Sequence, residues 1–211
     1  RTGGSRMFIE VGKRVSVEDL LQGMIVQSGN DASVALAEFA AGTEETFAQV
    51  MNQMAADLHM VNTHYQNSTG LPAEDHYTSA ADITKLASAL IREFPDKYRW
   101  YSQKQFSYNG ITQGNRNSLL WRDESVDGMK TGYTENAGYC LVASAERDGM
   151  RLISVVLGTK SPAARTKESQ ALLNYGYRFF ETEPLWQPAN TIATARVWKG
   201  AAESAELVVK Q

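Results

Sequence analysis

The sequence has one cysteine, Cys140, so its 211 residues hold no internal disulfide framework and none of the paired-cysteine spacing of a zinc ribbon. Histidine is scarce as well. His59, His64 and His76 do not fall at the spacing of a helical metal site, and neither a metal nor a cofactor is expected. No apolar run approaches the roughly 20 residues needed to span a bilayer. The sequence opens on Arg1-Thr2-Gly3-Gly4 without a methionine or a charged-then-apolar leader, and any leader is expected upstream of it. Blocks of one charge are missing too. The 21 Lys and Arg are interspersed with 24 Asp and Glu for a formal net charge of −3, which removes nucleic acid from the expected partners. What is present, 43% hydrophobic and 21% charged residues, is the make-up of a globular protein able to bury a substantial core.

Ser16-Val17-Glu18-Asp19 has the capping-box pattern, and Val17, Leu20, Leu21, Met24 and Ile25 follow at helical spacing to a predicted end near Gln27. Ser28-Gly29-Asn30-Asp31 then reads as a small polar turn before a second helical run, Val34 to Ala41, closed by Gly42. Thr43 caps a third helix, with Phe47, Val50, Met51, Met54 and Leu58 as its predicted inward stripe. Ser79 and Asp82 open a fourth, with Ile83, Leu86, Leu90 and Ile91 inward and Pro95 as its stop; Asn67 to Pro72 is a loop.

From Gln103 the period shortens. Phe106 and Tyr108, the turn Asn109-Gly110 and Ile111 predict a hairpin. Asp127-Gly128 reads as a turn leading into Met129 to Thr134; Tyr139 to Arg147, the turn Asp148-Gly149 and Leu152 to Leu157 complete three antiparallel strands. A last helix, about Thr166 to Phe180, carries Leu172, Leu173, Phe179 and Phe180. The expected fold is α+β, an antiparallel sheet flanked by helices over residues 1–183, with residues 184–211 as the first strands of a β-rich second domain: Thr191 to Trp198, Lys199-Gly200, and Ala205 to Val209.

Two short motifs could carry chemistry. In Lys130-Thr131-Gly132, the lysine can present a positive charge to a carboxylate, the threonine can donate a hydroxyl hydrogen bond, and the glycine lets an extended ligand lie along the strand. Alone, this is also the sequence of a solvated lysine before a turn. Ser28-Gly29-Asn30 is alone read as helix caps. Together, a Ser-x-Asn loop between helices and a Lys-Thr-Gly about a hundred residues later form the pairing known from class A β-lactamases and penicillin-binding proteins.

The sequence resembles the low-molecular-mass penicillin-binding proteins, the serine-type D-alanyl-D-alanine carboxypeptidases. The likeness runs in order through Gln27-Ser28-Gly29-Asn30-Asp31-Ala32, Asn67-Ser68-Thr69-Gly70-Leu71, Asn115-Arg116-Asn117, Val126 to Gly132, Ala137-Gly138-Tyr139 and Tyr177-Arg178-Phe179-Phe180. The resemblance implies a β-lactamase/transpeptidase-like fold and acyl transfer through a serine. It implies that Ser28 relays a proton to the leaving amine, Asn30 holds the substrate amide and Lys130 tunes the proton network. Thr131 and Gly132 would receive the terminal carboxylate end, the Tyr133 N–H would help form an oxyanion hole, and Arg116 and Arg165 would stand near that carboxylate. Stem peptides of peptidoglycan ending in D-Ala-D-Ala and β-lactam antibiotics are the implied ligands. A periplasmic location, with membrane contact only through a C-terminal anchor beyond this sequence, is implied in the same way.

One departure matters. The nucleophile motif of the family needs serine and lysine three apart on a helix, so that the amine reaches the hydroxyl. No serine or threonine in this sequence has lysine three positions on. The motif is expected upstream of Arg1, and the isolated chain is expected to fold poorly and to be inactive. A β-lactamase, or a non-catalytic peptidoglycan-binding protein that keeps the pocket without the nucleophile, are the alternatives.

Overall fold

Ser16 opens the first helix as the capping pattern predicts: its Oγ accepts the Asp19 N–H at 3.0 Å, and α1 runs Val17–Gln27. Thr43 and Ser79 cap α3 (Glu44–Asp57) and α4 (Ala80–Glu93) in the same way, through the N–H groups of Thr46 and Asp82. The computed structural model describes residues 2–183 and 190–208. The chain divides into two compact units, Arg1–Phe179 and Phe180–Gln211.

The second helix, α2, spans Asn30–Ala41 and so begins four residues ahead of the predicted start. A single residue, Ser28, ends α1 in the left-handed region (φ 61°, ψ 40°), and Gly29 caps α2 without any side-chain bond. The two helices are thus joined by two residues. The predicted inward stripe of α3 is also rotated. Val50 and Met54 are half exposed, whereas Ala48 and Ala55 are buried, because Asn52 must face inward to bond the backbone of Tyr65 through both its Oδ1 (2.7 Å) and Nδ2 (2.8 Å).

Pro95 starts a short turn, α5 (Pro95–Tyr98), that continues into a 3₁₀ segment, Arg99–Ser102. The hairpin follows as β1 (Gln105–Tyr108) and β2 (Ile111–Gly114); Asn109 and Gly110 both take positive φ, which matches the twist of the strands they join. After a four-residue helix, α6 (Leu119–Arg122), come β3 (Val126–Thr134), β4 (Gly138–Arg147) and β5 (Met150–Thr159), an antiparallel sheet in the order β3-β4-β5. α7 (Pro162–Phe179) starts earlier than predicted and buries Arg165, Thr166, Ser169 and Leu173. Of the large apolar residues at this end of the sequence, Leu173 is buried, while Leu172, Phe179 and Phe180 are about half exposed or more.

The sheet carries a helix on each face. On one side Leu119, Leu120, Val126, Leu141, Ala143 and Ala145 pack with Leu173 of α7. On the other, Ala87 and its neighbours on α4 pack with Tyr98, Met129, Val142 and Ile153. This is the α+β sandwich the sequence predicts. No helix among the described residues is long and apolar enough to cross a membrane.

Asp127-Gly128 is not a turn. It lies inside β3, where the register slips from Val126↔Ala145 to Gly128↔Ser144, so Asp127 is an extra residue in the strand. Its carboxylate accepts from the Tyr98 hydroxyl at 2.9 Å and from Arg151 at 2.8 Å. A side chain at position 128 would meet the Tyr98 Oη at 2.4 Å, so the bulge needs glycine there. Asn117, fully buried, holds the same point: its Nδ2 donates to the Gly128 carbonyl at 3.0 Å and its Oδ1 accepts from the Leu119 N–H at 3.2 Å. Asn117→Ala leaves both backbone groups unpaired in the interior, at about 1–3 kcal/mol each. Chemical denaturation should show a lower midpoint at unchanged slope.

The second unit contains an antiparallel pair, β6 (Thr191–Arg196) and β7 (Ser204–Val208), largely exposed along both strands. The predicted continuation of the second strand to Val209 and the Pro184 boundary lie outside the described residues.

Candidate active site

The junction of α1 and α2 gives each residue of Ser28-Gly29-Asn30-Asp31 a task. Left-handed backbone at Ser28, which costs a non-glycine residue roughly 1–2 kcal/mol, turns its Oγ away from the helix ends. Neither Ser28 nor Asn30 caps α2 with its side chain, so the reading of the motif as caps of the following helix fails, and Ser28 is instead the C-cap of α1. Gly29 lets the segment around Met7 pass close by: a Cβ there would lie 3.1 Å from the Met7 N. Asn30 donates from Nδ2 to the Gly3 carbonyl at 2.8 Å. Asp31 takes the N–H groups of Met7 and Phe8 at 2.9 Å each, and of Ile9 at 3.2 Å, fixing residues 7–9 against the helix start.

Lys130 comes to this junction from β3, 102 residues away in sequence. Its Nζ donates to the Ser28 Oγ in a short contact and to the Thr131 carbonyl at 3.0 Å. Burial pushes the Lys130 ammonium down to about 8, helped by the positive charges of Arg116 and Arg165. Thr131, Gly132 and Tyr133 continue the strand opposite Leu141, Cys140 and Tyr139. Among the described residues β3 pairs only with β4, so its other edge is open to an extended ligand.

The two arginines reach the same place from different elements. Arg116 is presented between Asn115, whose side chain holds the Gln103 carbonyl, and Asn117; its Nη1 donates to the Ser5 Oγ at 2.7 Å. Arg165 projects from the first turns of α7, buried, with Nη1 on the Gly132 carbonyl at 3.2 Å and its guanidinium 5.6 Å from the Tyr139 ring centre. Burial, the largest influence, and the nearby Arg116 lower its pKa.

All eight predicted residues, Ser28, Asn30, Arg116, Lys130, Thr131, Gly132, Tyr133 and Arg165, line one cleft of about 1010 Å³. A second cavity of about 440 Å³ opens beside the Ser28–Lys130 contact, with Met24, Leu86, Leu90, Met129 and Val142 among its walls. Among the described residues no cluster of three His, Cys, Asp or Glu side chains could hold a metal. The cleft can therefore place a lysine–serine proton pair near one end and cationic donors at the other.

Residues the sequence reading left without a role complete the wall. Thr69, Gly70 and Leu71 line the cleft, held by Asn67, whose Oδ1 accepts the N–H groups of Thr69 (3.1 Å) and Gly70 (2.8 Å). Glu44, on the first turn of α3, anchors the loop by accepting from the Ser68 N–H (3.0 Å) and hydroxyl (2.6 Å). The signals for it in the sequence are the loop's dense Asn-Ser-Thr-Gly composition and the place of Asn67-Ser68-Thr69-Gly70-Leu71 among the strings that carry the family resemblance.

Lys130 titrates in the folded protein well below the unfolded value of 10.5. Between pH 8 and 10.5 the unfolded chain then holds the extra proton, so stability should rise with pH across that window. Arg116→Gln removes one of the depressing charges, and the Lys130 side-chain NMR titration should move upward toward the ordinary lysine range; an unmoved midpoint would refute the electrostatic cause.

A family model described as D-alanyl-D-alanine carboxypeptidase matches residues 1–161. The chain is 49% identical over 199 residues to the D-alanyl-D-alanine carboxypeptidase DacC of Escherichia coli, covering 94% of this chain and 50% of that protein. It is similar to penicillin binding protein 5 from Haemophilus influenzae, with a TM-score of 0.88, 43% identity, and coverage of 96% of this chain and 60% of that one. Penicillin-Binding Protein D2 from Listeria monocytogenes in its ampicillin-bound form superposes with a TM-score of 0.77 at 31% identity, over 84% of this chain and 74% of that one. The chain spans about half the length of the curated relatives it matches. With its site geometry, its matched region and these similarities in agreement, the chain belongs to the D-alanyl-D-alanine carboxypeptidase family of penicillin-binding proteins.

Proposed function

We propose that the protein to which this chain belongs is a serine-type D-Ala-D-Ala carboxypeptidase acting on peptidoglycan stem peptides, and that these residues form the substrate-binding half of its site. The observation that carries the reading is the single cleft joining the Lys130–Ser28 contact to the Thr131, Arg116 and Arg165 end. In this reading a serine from a Ser-x-x-Lys helix attacks the carbonyl carbon between the two D-alanines. The serine oxygen forms an ester, the C–N bond breaks, and the amine of the departing D-alanine takes its proton through Ser28, with Lys130 supplying the proton network. Water then cleaves the ester and restores the serine.

Asn30 holds the amide of the penultimate residue, and the Tyr133 N–H supports the oxyanion. Thr131 hydrogen-bonds the terminal carboxylate, with Gly132 giving its backbone room, while Arg116 and Arg165 supply positive charge there. β-Lactams occupy the same cleft as slowly released mimics, a use supported by the ampicillin-bound relative. The reading also carries a periplasmic location at the inner membrane and a β-rich second domain from residue 184 onward. Release of D-alanine by the complete protein, measured beside penicillin turnover, tests it. Fast D-alanine release with slow penicillin turnover is expected; the reverse would make the protein a β-lactamase, and neither would leave a peptidoglycan binder.

A further inference from the structure

Tyr133 follows Lys130-Thr131-Gly132 on β3 and faces Tyr139 across the strand pair. Their rings stack with centres 4.2 Å apart at 27°, yet Tyr133 keeps 55% of its surface exposed. A cross-strand aromatic pair can serve the sheet alone. Three features argue that this one also serves a ligand. Both rings line the cleft. Thr131 and Tyr133 are two residues apart on a strand, so they share a face at a spacing of about 7 Å, and whatever Thr131 holds lies one pleat from the Tyr133 ring. The stack is also stiffened from behind: Arg165 lies against the Tyr139 ring while its Nη1 is fixed on the Gly132 carbonyl, and Thr159 donates its hydroxyl to the Tyr139 carbonyl at 2.9 Å.

We propose that the Tyr133–Tyr139 stack is a specificity subsite for flat, unsaturated groups attached next to the carboxylate of a ligand. The assignment rests on the carboxypeptidase reading above, which puts that carboxylate at Thr131 and the two arginines. A planar ring attached through the atom next to the one that bears the carboxylate covers the exposed Tyr133 face as a third layer. A methyl group in the same place reaches only its edge. Cephalosporins carrying a heteroaromatic ring beside the carboxylate belong to the favoured class, and their methyl counterparts do not.

The test compares two cephalosporins that differ only in that substituent, heteroaromatic or methyl, as the ratio of their acylation rates on the complete protein. Tyr133→Thr should lower the ratio about threefold to tenfold, the size of an aromatic pair, and Tyr133→Phe should restore it. A merely structural role would slow both compounds alike and leave the ratio unchanged, which would overturn the proposal. Absence of acylation by either compound would instead count against the carboxypeptidase reading. The same pair would then be compared by saturation binding, read on the ring protons of Tyr133 and Tyr139, and equal affinities there would overturn the subsite.

Discussion

Incubated with a fluorescent penicillin and resolved on a denaturing gel, the 211-residue chain is expected to carry no covalent label. A penicillin is retained through an ester to a serine whose proton is taken by a lysine one helical turn away, and no serine here has lysine three residues on. Ser28 does touch a lysine amine, but it lies at a helix junction in left-handed backbone, and that lysine comes from β3, 102 residues away, rather than from the next turn of a shared helix. A labelled band that disappears with Ser28→Ala would make Ser28 the nucleophile and overturn the division of roles given above. The same gel with a longer chain that includes a Ser-x-x-Lys helix is expected to show strong labelling.

In a protein with that helix, Ser28→Ala and Lys130→Met should each slow acylation by about 10²- to 10⁴-fold, the usual worth of a positioned proton carrier. Circular dichroism should show the fold retained. Lys130→Arg separates charge from proton transfer. It keeps the cation that faces the ligand, but a guanidinium does not give up its proton near neutral pH, whereas Lys130 does so at about 8. If Lys130→Arg restored the rate, charge alone would be sufficient, and the Ser28–Lys130 proton relay would be wrong.

Much of the framework was legible in the sequence because its signals are local. Ser16, Thr43 and Ser79 each bond an N–H three residues on, and Asn109-Gly110 and Asp148-Gly149 each close a hairpin whose strands adjoin them. Helix faces were less legible. In α7 the buried row Arg165, Ser169 and Leu173 is mostly polar, because the arginine serves the cleft and the small serine lets the helix approach the sheet. Large apolar residues such as Leu172 and Phe179 lie on the exposed side instead.

The site shows the same division. Lys130-Thr131-Gly132 and Ser28-Gly29-Asn30 could be found because their spacing along the chain is distinctive. Asp31 and Glu44 could not. Their partners are backbone N–H groups 22 to 24 residues away, and nothing in an isolated carboxylate tells which distant backbone it will hold.

The slip of register at Asp127 sets a parity for the whole site. Val126 belongs to the layer under α7, and four residues later an unbroken strand would return Lys130 to that same layer. Lys130 instead borders the cavity shared with α4, beside Val142. The extra residue is the phase shift that makes this so. Straightening the strand at unchanged length would exchange the two sides of the motif, sending the ammonium toward Arg165 and the Thr131 hydroxyl toward Ser28, whereas deleting Asp127 would remove the bulge and leave Lys130 opposite Val142. What the motif draws from this stretch is the irregularity itself, held by Asp127 and given room by Gly128, and the bulge is as much a part of the active site as the lysine.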